Sequence, residues 1–146
     1  MQNLVFDEGY KEFTINGDES RVIKFNPSDI GMLKRIDEAK NKILEAMNVD
    51  KDIELDNEGK PVENLENASK IVRHIDDTIK EQINYIFNYD VSDVVFGNQS
   101  PMANIIGIPL YARFMESIKP VIETAMKEEN EKSRKRVAKY TKDIKW

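Results

Sequence analysis

The sequence predicts an α+β protein, mainly α: a small N-terminal β-hairpin, three main helices and a charged C-terminal tail. Two observations lead there. Two β-rich runs flank an Asn-Gly pair near the start, and beyond residue 26 the apolar residues recur mostly at helical spacing. At 146 residues the chain fits one domain, able to bury roughly two-thirds of the surface its unfolded form exposes. We divide it into a hairpin region (1–25), a helical body (26–126) and a basic tail (127–146).

The hairpin is read from Glu12-Phe13-Thr14-Ile15 and Arg21-Val22-Ile23-Lys24-Phe25 around Asn16-Gly17. In the first run Phe13 and Ile15 fall on one face, and Asn and Gly tolerate the positive φ that short hairpin turns need. Leu4-Val5-Phe6 is a candidate third strand. Helix one is expected directly after, with Asn26 as cap and Pro27 at the first helical position. Its apolar face reads Ile30, Leu33, Ile36, Ile43, Leu44 and Met47. Asn48 to Pro61 is an acidic connector.

Helix two, Val62 to Asn88, carries the strongest signal. Leu65, Ala68, Val72, Ile75, Ile79, Gln82 and Ile86 step by three and four residues, and Ile71, Ile83 and Phe87 widen the stripe. It would run about 40 Å at 1.5 Å per residue, so another helix must cover it. Packing within the chain is the default, and pairing with a second copy or a partner helix is the alternative. Next come a short helix around Val91, Val94 and Val95, a loop from Gly97 to Pro101, and an apolar connector, Met102 to Ile108, expected to be packed. Helix three starts near Pro109, with Leu110, Phe114, Ile118, Val121, Ile122, Ala125 and Met126 inward and a kink or break at Pro120.

The charge is unevenly spread. The chain has 22 basic and 27 acidic residues, a net of −5. The last 20 residues are +4 and the other 126 are −9. An acidic body with a basic end can contact itself, another copy or an anionic partner.

Parts for catalysis are scarce. Without cysteine there is no disulfide, thiolate nucleophile or sulfur-ligated metal. The single histidine, His74, lies beside Arg73 and Asp76, off the apolar stripe. No glycine pattern fits a phosphate loop, and no GxSxG elbow is present. The acidic stretch Asp50 to Gly59 does not have the ligand spacing of a calcium loop. Asp76 and Asp77 are adjacent on a helix and point in different directions. We therefore expect no enzyme activity, no metal and no cofactor. Met1 to Tyr10 carries Asp7 and Glu8 with no basic apolar run, so no signal peptide is expected. No run approaches the roughly 18 apolar residues of a membrane span. A cytoplasmic location is expected.

A resemblance enters through three segments: the hairpin with the helix opened by Asn26-Pro27-Ser28-Asp29-Ile30; Asp93-Val94-Val95-Phe96-Gly97 followed by Pro109-Leu110-Tyr111-Ala112-Arg113-Phe114; and the ending Lys135-Arg136-Val137-Ala138-Lys139-Tyr140-Thr141. Together they resemble the small tail assembly chaperones of tailed bacteriophages and prophages of Gram-positive hosts, over nearly the whole chain. The resemblance implies a non-enzymatic protein that binds the long, helical tape measure protein, tail tube subunits, or both, before the tube polymerises. It carries no catalytic residues. The candidate partner-binding residues are Leu65, Val72, Ile75, Ile79 and Ile86 on the stripe, Phe114 on helix three, and Arg134, Lys135, Arg136 and Tyr140 in the tail. Met32, Met47, Met102, Met115 and Met126 would add adaptable apolar surface, or simply fill the core. Two other readings stay open. One is a ring-forming connector or completion subunit of the virion. The other is a small nucleic-acid-binding regulator acting through the basic tail, although an acidic body makes nucleic acid a poor partner overall. Self-association is also possible for a chain of this charge pattern.

Overall fold

The computed structural model describes residues 1–48, 57–58 and 65–143. Most of the acidic connector, the expected start of helix two at Val62, and the last three residues lie outside them. The fold is α+β, with an N-terminal antiparallel hairpin followed by helices. Strands β1 (Lys11–Ile15) and β2 (Asp18–Phe25) pair antiparallel. Helices follow as α1 (Ile30–Met47), α2 (Leu65–Phe87) and α3 (Ser92–Phe96). A second small hairpin, β3 (Asn104–Ile105) and β4 (Ile108–Pro109), leads into α4 (Leu110–Asp143).

The first hairpin turns where the sequence places it. Asn16 and Gly17 have φ of 52° and 75°, and Ile15 pairs with Asp18 across a two-residue loop, as Asn-Gly favours. One residue on, Thr14 pairs with Val22, so Glu19, Ser20 and Arg21 bulge from β2. Asp18 holds the bulge, its carboxylate accepting from the Ser20 hydroxyl at 2.6 Å and the Ser20 N–H at 3.0 Å. Those bonds, the hydroxyl's first, hold the Asp18 carboxyl below its ordinary pKa. A bulge re-aims the next side chain. Arg21 here donates from Nε to the Val94 carbonyl at 2.8 Å and from a terminal nitrogen to that of Val95 at 2.6 Å. It thereby ties β2 to α3.

Helix α1 starts later than expected. Asn26 accepts from the Ser28 N–H in a turn around buried Pro27, and Asp29 is the cap, accepting from the Gly31 N–H at 2.9 Å. The buried face is also rotated from the expected one. Met32, Ala39, Ile43 and Ala46 point inward, with Ile36 partly buried, while Ile30, Leu33 and Leu44 are exposed. The beginning of α1 lies against the end of α2. Arg35 donates to the Ile86 carbonyl at 2.9 Å and pairs with Asp29, and the Tyr85 hydroxyl donates to Glu38. That bond to the carboxylate raises the Tyr85 pKa.

Asn84 joins α2 to α3. Its Oδ1 accepts from the backbone N–H groups of Val91 and Ser92 at 2.8 and 2.9 Å. These groups would otherwise be orphaned where both residues are buried. Asn88 takes the left-handed conformation (φ 63°) that ends α2. A run of rings crosses the core from Phe13 to Phe25 (4.7 Å), Phe87 (5.2 Å) and Phe114 (5.9 Å), with Phe96 6.3 Å from Phe114. Each such pair contributes about 0.5–1.5 kcal/mol beyond burial.

Pro120 neither breaks nor ends α4, which runs continuously through it. The helix packs on the core only through its first half, where Ile118, Ile122 and Ala125 are buried. Lys127 to Arg136 are exposed on every face. The helix therefore leaves the body, and residues 127–143 extend about 25 Å at 1.5 Å per residue. Among the described residues no helix is long and apolar enough to cross a membrane.

Candidate functional site

The connector from Met102 to Ile108, expected to be packed, is so only at Met102, which is partly buried against the core; beyond it the chain forms a second hairpin with an apolar, solvent-facing tip. Ile105 pairs with Ile108 across Ile106-Gly107, whose φ values of 55° and 75° match those at Asn16-Gly17. Gly107 suits this geometry, but a β-branched Ile with positive φ is strained. Ile106 is 92% exposed, and Ile105 and Ile108 are exposed beside it. The base of the hairpin is held firmly. Leu110 N–H donates to the Ala103 carbonyl at 2.8 Å and Tyr111 N–H to the Pro101 carbonyl at 2.9 Å. Ser100 donates to Asp76 on α2 at 2.7 Å and accepts from Met102 N–H.

Beside this tip lies an apolar groove of about 740 Å³, between the first hairpin and the start of α4. Ile23, Phe25 and Val95 form its floor, Phe114, Ile118 and Val121 the α4 wall, and Ile105 and Ile108 one end. Its volume falls within the roughly 300–1,000 Å³ of ligand sites. Arg113 and Glu116 supply charge at the rim.

The expected partner-binding residues separate into four groups. Ile75, Ile79 and Ile86 are buried, Ile79 completely (0% exposed), and form the core with α1. They are not available to a partner in this fold. Leu65 (88% exposed) and Val72 (48%) keep the outer part of the stripe open. Phe114 is partly buried in the ring run and lines the groove. Arg134, Lys135 and Arg136 are exposed on the projecting part of α4. Among the described residues the ion pair there is Lys132 with Glu129, at 3.9 Å. Tyr140 lies in α4, but its side chain is outside the described ones. Phe114 therefore meets the stripe only inside the core, and neither the open part of the stripe nor the tail lines the groove with it. Of the methionines, Met32 is buried and Met47, Met102, Met115 and Met126 pack partly buried against the core.

His74 is exposed. Among the described residues no three of His, Asp and Glu gather as a metal site. Asp76 serves structurally through Ser100, and burial raises the pKa of Tyr111. The groove and the strained tip were missed in the sequence, where only the pairing of any residue with Gly107 hinted at a turn. No family model, curated protein or solved structure matches the chain.

Proposed function

We propose that the protein is a non-enzymatic, cytoplasmic assembly chaperone of the phage tail type. In this reading it holds apolar segments of a long helical client such as a tape measure protein, or of tail tube subunits. The observation that carries it is the strained, exposed Ile106 at the apolar tip beside the groove. A β-branched residue held with positive φ and facing solvent costs stability and contributes no packing, which favours a role in contact. The charged end of α4 is a second contact, reaching away from the body for an anionic surface of the client or of a tube subunit. The segments that resemble tail assembly chaperones contribute to both: Pro109 to Phe114 joins the tip to the groove, and Lys135 to Thr141 lies in the projecting helix.

The test is co-purification with a tape measure protein encoded alongside this chain. Capture is expected, reduced by Ile108→Asp at the groove and by reversing Arg134, Lys135 and Arg136 to Glu. Capture by neither the protein nor its variants, together with recovery of the chain in purified particles at ring-like copy number, would replace this reading with a connector subunit. Salt-dependent binding to DNA or RNA lost with the basic tail would favour the regulator.

A further inference from the structure

The first six residues form an apolar arm without a place on their own molecule. Leu4, Val5 and Phe6 are all exposed and pair with no strand. The chain is pinned just after them. Asp7 accepts from the Gly9 N–H at 2.8 Å, Gly9 turns with φ of 77°, and the Glu8 carbonyl accepts from the Asn26 amide. Residues 1–10 belong to no strand or helix, and Met1 to Glu8 are exposed throughout.

Strand β1, meanwhile, has an open edge. It pairs with β2 alone, and among the described residues its backbone bonds to no other element. The groove runs along that edge. Phe13, Thr14 and Ile15 of β1 all line it, with Asn16 of the turn, yet side chains of successive strand residues point to opposite faces. Thr14 therefore borders the groove alongside Phe13 and Ile15 where the strand's backbone edge faces it. An occupant that satisfies this edge is an extended chain that adds a strand. Leu4 and Phe6 alternate with Val5, so an added Leu4-Val5-Phe6 strand places two apolar side chains over the floor. Asp7 and Glu8 follow directly, and Arg113 in the groove has no ion-pair partner among the described residues.

We infer that the N-terminal arm of one copy adds as a third strand to the β1 edge of a second copy, filling its groove. Reciprocal exchange gives a closed dimer, and one-way exchange gives an open chain of copies. The pairing stands without the client reading. If that reading holds as well, the arm covers the apolar groove until a client displaces it.

The absence of cysteine makes the test direct. Val5→Cys and Thr14→Cys are made separately, at two exposed positions, mixed and mildly oxidised. A mixed disulfide dimer is expected on the order of tenfold faster than for Val5→Cys mixed with Lys34→Cys, because pairing raises the local thiol concentration. Light scattering on the full chain is expected to give a mass above the monomer's 16.9 kDa, returning to the monomer's on deletion of residues 2–6. A full chain that is monomeric at every concentration, or an oligomer unchanged by the deletion, overturns the inference. So does an intramolecular disulfide in the doubly substituted chain, which would put the arm on its own β1. Client capture by the arm-deleted chain tests the proposed function separately.

Discussion

Replacing Ile106 with Asn should make the protein more stable and less able to hold a client. The left-handed conformation costs an L-residue roughly 1–2 kcal/mol, and Asn tolerates it better because its short polar side chain bonds locally. At 92% exposure the Ile side chain contributes almost no packing to lose. The expected gain is about 1 kcal/mol, or about 2–4 °C in Tm for a chain of this size. Urea unfolding followed by far-UV circular dichroism measures it as a higher midpoint at unchanged slope. Ile106→Ala serves as the control, since it removes the apolar surface but keeps the backbone strain, so it should lose capture with no gain in stability. A destabilisation beyond about 0.5 kcal/mol in Ile106→Asn would exceed what an exposed site gives and would refute the reasoning. Full client capture by both variants would remove the tip from the contact surface.

Other perturbations probe the frame that holds this surface. Asn84→Ala leaves two buried N–H groups without acceptors and should cost about 2–4 kcal/mol, whereas Asn84→Asp, which keeps the acceptor, should lie within about 1 kcal/mol of the parent in denaturant titration. Along α2, Ile79→Ala should cost about 2–5 kcal/mol through the cavity it leaves, while Leu65→Ala should change stability by no more than about 0.5 kcal/mol; equal costs would mean that the outer stripe is covered too. Ser20→Ala should raise the Asp18 pKa toward its ordinary value in an NMR titration. Because the folded value is depressed, this carboxylate stabilises the fold above the ordinary carboxylate range and loses that contribution as pH falls through the folded value, so an unshifted titration would count against the bulge bonds. Pro120→Ala restores a backbone donor within continuous α4 and should stabilise by about 1 kcal/mol or more in thermal melts; a loss would show that the ring is needed where it borders Lys11 and Phe13.

The amino-acid order by itself determined what depends on neighbours in sequence. Asn16-Gly17 makes its turn because those two residues accept positive φ, and α2 forms because its apolar residues recur every three or four positions. The charge of the C-terminal end is likewise written in the chain. Tertiary structure alone decided which apolar residues are covered. A stripe of one period reads the same from Leu65 to Ile86, but α1 and the Phe87–Phe114 contact bury it fully only from Ile75 onward, with Ile71 partly covered. Helix α1 has two possible apolar faces, and the one bearing Met32, Ala39 and Ile43 is buried because α2 and β2 lie on that side. The Arg21 and Asn84 bridges span residues 73 and 7 apart and leave no local pattern. The apolar tip was hidden for a further reason. Ile in the left-handed conformation runs against local preference, and only the hairpin base, tied to α2 through Ser100 and Asp76, holds it there. Local preference is set by a few adjacent residues, whereas burial depends on which distant surface arrives to exclude water.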